Sequence, residues 1–134
     1  MEQTEAEREG VVAVLREGGR VLVIRRGPEV PEPGYWAPLS GTVEPGEAQP
    51  DTLVREVYEE VGLRVAPLGK VWESASADGR FVLHWWTAEI TGGELTLDPR
   101  EVSEARWVTV EEYRQLEPTF AGDHAFFADV LPGL

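Results

Sequence analysis

The chain has 134 residues, no cysteine, and 25 acidic against 12 basic side chains, for a formal net charge of −13. That length specifies one domain over residues 1–134, and the missing cysteines exclude disulfides, thiol catalysis and thiolate–metal sites. The negative field disfavours nucleic-acid backbones and anionic lipid, yet it admits a small phosphorylated ligand whose charge a cation offsets.

Residues 1–9 are acidic where a secretory leader would be basic, and no apolar run approaches a membrane span. A cytoplasmic location with no membrane partner is the expectation. Val11–Leu15 and Val21–Ile24 read as two strands joined across a Gly18-Gly19 turn. Residues 25–34 hold three prolines and two glycines and read as a surface loop. Arg25 and Arg26 follow the second strand and are candidates for a phosphate contact, with a solvated strand end as the alternative. Tyr35 and Trp36 are candidates for stacking on a base, although burial of Trp36 against the sheet is the better expectation.

From Pro50 to Val61 the period turns helical. Leu53, Val57 and Val61 recur at i, i+4 and i+8, Pro50 suits the first turn, and Gly62 suits a left-handed stop. A β-rich half follows, with runs at Val65–Trp72 and Phe81–Ile90, a Gly92-Gly93 turn before Glu94–Leu97, and a last short strand at Arg106–Val108. Both faces of the Phe81–Ile90 run are bulky, so it reads as a central strand, with His84 a structural residue. Thr109 and Glu112 form a capping box for a helix reaching Leu116, and residues 123–131 read as a short terminal helix. A mixed sheet with helices packed on it is the economical α/β architecture.

Glu56, Glu59 and Glu60 sit at i, i+3 and i+4 and so project to one side of the Pro50–Val61 helix, away from the Leu53/Val57/Val61 stripe. Three like charges near a helix C-terminus repel one another and oppose the helix dipole. Hard carboxylate oxygens in that arrangement suit Mg²⁺ or Mn²⁺, which would offset a diphosphate. With only His84 and His124 in the chain, an imidazole-built zinc site is not expected. A solvated acidic helix face is the alternative to a metal site.

The spacing of Gly41, Glu47, Arg55, Glu56, Val57, Glu59, Glu60, Gly62 and Leu63 is G-x5-E-x7-R-E-U-x-E-E-x-G-U, where U is a bulky aliphatic residue. In this the chain resembles the Nudix hydrolases, MutT-like members included. The resemblance implies an α/β/α sandwich around a mixed sheet and metal-dependent hydrolysis of a diphosphate bond in a nucleoside triphosphate or nucleoside diphosphate derivative. It implies Glu56, Glu59 and Glu60 as ligands of Mg²⁺ (or Mn²⁺), Glu56 alternatively orienting the attacking water. Arg55 would hold the carboxylates, Glu47 would pair with Arg55 or assist the metal site, and Gly41 and Gly62 would serve the backbone where loop meets helix.

The base that takes the water's proton stays open at this point. Glu101 and Glu104, expected in the loop before Trp107, are candidates beside the box acids, with a plain surface role as the alternative for either. Pro38-Leu39-Ser40 departs from the Pro-Gly-Gly common in MutT-like relatives, which bears on the local turn and base contacts. Markers of ADP-ribose and dinucleoside-polyphosphate subgroups are missing at residues 77–80, although both remain alternative substrate classes. A small-molecule nucleotide partner and a homodimer follow from the resemblance. A nucleotide-sensing module of the same fold without turnover is the rival function.

Overall fold

The computed structural model describes residues 8–134, so residues 1–7 of the acidic leading stretch lie outside the described residues. The elements are β1 (Arg8–Glu17), β2 (Arg20–Arg26), β3 (Trp36–Ala37), β4 (Leu39–Thr42), α1 (Gln49–Val61), β5 (Leu63–Ala75), β6 (Phe81–Gly93), β7 (Val102–Val108) and α2 (Val110–Gln115). A terminal helical stretch begins at α3 (Asp123–Ala125) and continues through a wide turn at Phe126–Val130 and a tight one at Leu131–Gly133.

Seven strands are joined among the described residues in the order β3-β2-β1-β6-β5, with β4 also on β1 and β7 also on β2. β1 and β6 are parallel over residues 8–15 and 81–88, while β4 and β5 run antiparallel to their partners, so the sheet is mixed. β1 and β2 pair only beside the Gly18-Gly19 turn. Beyond it they diverge, and β2 joins β3 and β7 instead.

The unbroken apolar runs of β1 and β2 are buried on both faces. Val11, Ala13, Leu15, Leu22 and Ile24 meet the α1 stripe of Leu53, Val57 and Val61. Val12, Val14, Val21 and Val23 meet Trp85, Tyr113, Phe126 and Phe127 on the opposite side. Helices on both sides of a mixed sheet make the expected α/β/α sandwich. Each fully buried aliphatic side chain contributes roughly 1.5–3 kcal/mol, so these two half-cores carry most of the favourable burial. β6 lies between β1 and β5, the central position that its two bulky faces required.

α1 ends as its sequence demands. Gly62 has φ 75° and donates its N–H to the Tyr58 carbonyl at 2.9 Å. A Cβ there would also meet the Glu94 carbonyl at 2.7 Å, so a side chain is disfavoured twice. Residues 94–98 form no strand. Their backbone crosses the helix end, where the N–H groups of Thr96 and Asp98 bond the Val61 and Glu60 carbonyls at 2.8 and 3.2 Å. Those carbonyls would otherwise lack partners. The Thr109–Glu112 capping box of α2 is present in both directions.

Candidate functional site

Arg55 is the centre of the α1 polar face. Its Nε donates to Glu47 Oε2 at 2.8 Å and its Nη2 to Glu47 Oε1 at 2.9 Å, a two-pronged pair. Its Nη1 reaches Glu56 Oε1 at 2.6 Å and Glu59 Oε1 at 3.3 Å, with Glu44 Oε2 at 3.9 Å. Nη2 also meets the Thr42 carbonyl at 3.2 Å, tying the helix to the end of β4. The expected pairing of Arg55 with Glu47 is thus present, and the guanidinium holds the Glu47 carboxyl down at about 2, with help from the Thr52 hydroxyl.

Glu56 and Glu60 stand differently from Glu59. The Glu59 side chain is 55% exposed, whereas Glu60 is 8% exposed. Burial pushes the Glu60 carboxyl far above the usual carboxylate range, and its hydrogen bond with Glu56 and the charges of Glu56 and Glu101 add to the rise. Burial raises Glu56 as well. Two neighbouring, poorly solvated carboxylates that resist ionising together are short of positive charge.

Gly41 permits this arrangement. It pairs with Val11 on β1 and faces α1, and a Cβ on it would overlap the Glu56 side chain. Its role is therefore close approach of a side chain rather than a special turn. Neighbouring Leu39 is buried in the α1-side core, and Ser40 alternates to the other face of β4, so the Leu39-Ser40 departure does not disturb the carboxylates.

Arg26 approaches the same region from the end of β2. It is partly buried, which lowers its pKa, while the charges of Glu60, Glu32 and Asp123 act the other way. Its Nε donates to the Pro31 carbonyl at 2.5 Å. Arg25 is exposed. Tyr35 is half-buried against Phe120, with ring centroids 4.8 Å apart. Trp36 is buried in the core opposite α1, with Arg106 over its ring at 4.7 Å, and is not free to stack on a base.

The two outlying acids separate. Glu101 lies just before β7 with its charge felt at Glu60. Glu104 is inside β7 rather than in a loop, and its carboxylate accepts from Arg106 Nε at 2.8 Å. The strand begins four residues earlier than the expected Arg106 because Val102 is buried in the α1-side core. His84 is buried between carboxylates of adjacent strands, its Nε2 3.1 Å from Glu9 Oε1 and its Nδ1 3.6 Å from Glu73 Oε1. That is a structural placement.

Sequence reasoning missed Thr52 and Asp123. Thr52 is fully buried and donates to Glu47 Oε1 at 2.7 Å. Its signal was available: residues 52, 56 and 60 share one line of the helix at i, i+4 and i+8. Asp123 had no such signal. Burial pushes its carboxyl up to about 6, with the charge of Arg26 opposing. A folded-state pKa above the unfolded value of 3.8 means that native stability declines as pH rises from about 4 through about 6. Asp123→Asn should therefore add on the order of 2 kcal/mol at pH 7.5 and almost nothing at pH 4. Urea denaturation at both pH values measures this, and equal gains or losses at the two would refute it.

The family model for the NUDIX domain matches residues 7–130. The chain belongs to the Nudix family. The NAD-capped RNA hydrolase NudC of Deinococcus radiodurans is 35% identical over 113 residues, covering 84% of this chain and 40% of that protein. The same-named protein of Pseudomonas putida (strain W619) is 35% identical over 109 residues, covering 81% of this chain and 38% of its own. This chain thus spans about two fifths of the length of these curated relatives. Among solved structures, the E. coli ORF135 protein superposes with a TM-score of 0.73 at 26% identity, covering 96% of this chain and 90% of the other. The MutT protein from Methanosarcina mazei Go1 gives 0.74 at 24% identity and 90% of each chain, a likeness of fold.

Nudix proteins typically use a divalent metal, and the donor set here fits one. Glu56, Glu59 and Glu60 offer hard oxygens with no thiolate or imidazole, which suits Mg²⁺ or Mn²⁺. No ready-closed group of three metal-binding side chains occurs among the described residues. Arg55 draws Glu56 and Glu59 toward itself, while Glu60 turns inward.

Proposed function

We propose that this chain hydrolyses a phosphoanhydride bond in a nucleoside triphosphate or nucleoside diphosphate derivative, with Mg²⁺ (or Mn²⁺) held by Glu56, Glu59 and Glu60. The observation that carries the reading is the Glu56–Glu60 pair: two carboxylates kept poorly solvated beside each other, an arrangement that a bound cation relieves. When present, such a cation offsets diphosphate charge and makes a water more acidic.

The remaining chemistry falls to the side chains. Arg55, locked to Glu47, keeps Glu56 and Glu59 from drifting apart. A box carboxylate takes the proton of the attacking water, the water oxygen bonds to phosphorus, and the bridging oxygen leaves with the departing phosphate. Of the two acids outside the box, Glu101 is the candidate this reading favours: its charge acts on Glu60, whereas Glu104 accepts from Arg106. Arg26 supplies positive charge to a phosphate from the β2 side, and half-buried Tyr35 supports the base.

The relatives named as NAD-capped RNA hydrolases add a dinucleotide diphosphate such as NAD to the substrates worth testing. The charge of −13 favours the small molecule over an RNA chain. The test is ion-exchange analysis of products with Mg²⁺ and with Mn²⁺. The panel holds nucleoside triphosphates including oxidised forms, NAD, ADP-ribose, sugar nucleotides and dinucleoside polyphosphates. Metal-dependent cleavage of any member, lost in Glu59→Gln protein, supports the reading. Saturable binding with no product from any of them would replace it with the sensing module.

A further inference from the structure

Glu47 is the anchor on which Arg55 is aimed, and its own aim has a cause outside the Nudix signature. Glu47 precedes α1 in the loop after β4, outside any strand or helix. Four groups hold its carboxylate: two prongs of Arg55, the Glu44 N–H at 3.1 Å, and the Thr52 hydroxyl at 2.7 Å. Of these, the Thr52 hydroxyl alone comes from a fully buried side chain. Arg55 gives Glu47 its Nε and Nη2 while its Nη1 serves Glu56 and Glu59, so the direction of the guanidinium depends on where the Glu47 carboxylate stands.

The Thr52 hydroxyl has one proton and two acceptors in reach, Glu47 Oε1 at 2.7 Å and the Ala48 carbonyl at 3.3 Å. The shorter contact is to the charged acceptor, where a hydrogen bond is stronger. The proton therefore goes to Glu47.

We infer that Thr52 is a positioning residue of the metal site: its buried hydroxyl sets the Glu47 carboxylate, which sets the Arg55 fork, which spaces Glu56 and Glu59 for a divalent cation. This rests on the metal-binding reading above. It also separates Thr52 from a packing role, since a methyl in place of the hydroxyl fills the same space but leaves Glu47 without its buried donor.

The test is calorimetric titration of the full chain with Mn²⁺, without nucleotide, on wild type, Thr52→Val, Thr52→Ala and Thr52→Ser, with thermal melting of each in metal-free buffer. Groups supporting metal ligands commonly change affinity by tenfold or more when removed. Thr52→Val should weaken Mn²⁺ binding by about tenfold, and Thr52→Ser should stay within about twofold of wild type. Thr52→Ala should weaken binding as Thr52→Val does, whatever its melting temperature. The inference is overturned if Thr52→Val binds Mn²⁺ like wild type, or if Thr52→Ser is as weak as Thr52→Val. Wild type that takes up no Mn²⁺ would overturn the metal reading itself, and the inference with it.

Discussion

Glu60→Gln should cut kcat at least about a hundredfold and, in metal-free buffer at pH 8, make the protein more stable than wild type. The loss of activity follows from removing a ligand carboxylate whose charge the reaction needs. The gain in stability follows from burial. Glu60 is 8% exposed and its folded-state pKa is raised above the unfolded 4.5 by desolvation, then by Glu56. Stability is therefore full below about pH 4 and is lost as pH climbs toward the folded value. A neutral amide of the same shape escapes that loss and can still donate to Glu56, which predicts a gain on the order of 2 kcal/mol at pH 8 that vanishes near pH 4.

Glu59→Gln is the control. Its carboxylate is largely exposed, so it should lose activity without gaining stability. Thermal melts at the two pH values beside steady-state kinetics measure the set. Activity within tenfold of wild type, or a Glu60→Gln protein less stable at pH 8, would refute the assignment.

Arg55→Lys should lose activity by about ten- to a hundredfold although the charge is retained. The fork to Glu47 needs two nitrogens in one plane, and a further nitrogen serves Glu56 and Glu59. An ammonium is a single point and cannot do all three. Breaking this partly buried network should also destabilise the fold by roughly 2 kcal/mol. Kinetics over a Mg²⁺ series, with urea denaturation, distinguish the cases. Full rescue of activity by high Mg²⁺ at unchanged stability would show that the fork is not required.

Much of the fold was readable because its signals are local. The β1–β2 runs, the Gly18-Gly19 turn, the α1 stripe with its Gly62 stop and the Thr109–Glu112 box each depend on residues within a few positions of one another. They were found where expected. Misplacements arose where a segment's partner is distant in sequence. Residues 94–97 serve the end of α1 instead of a sheet, and β7 begins before Arg106 because Val102 enters the core.

The candidate site divides along the same line. Helical period alone put Glu56, Glu59 and Glu60 on one side of α1, because 3.6 residues per turn leaves no other arrangement, and it put Arg55 one turn before Glu59. It could not say that Glu60 is buried and Glu59 exposed, that Gly41 matters by leaving room for Glu56, or that Glu104 is taken by Arg106. Nor could it bring the charge of Asp123 to bear on Arg26. A side chain's direction follows from its own helix, but its solvation depends on which distant strand or loop arrives to cover it. For a carboxylate, that covering sets the cost of its charge.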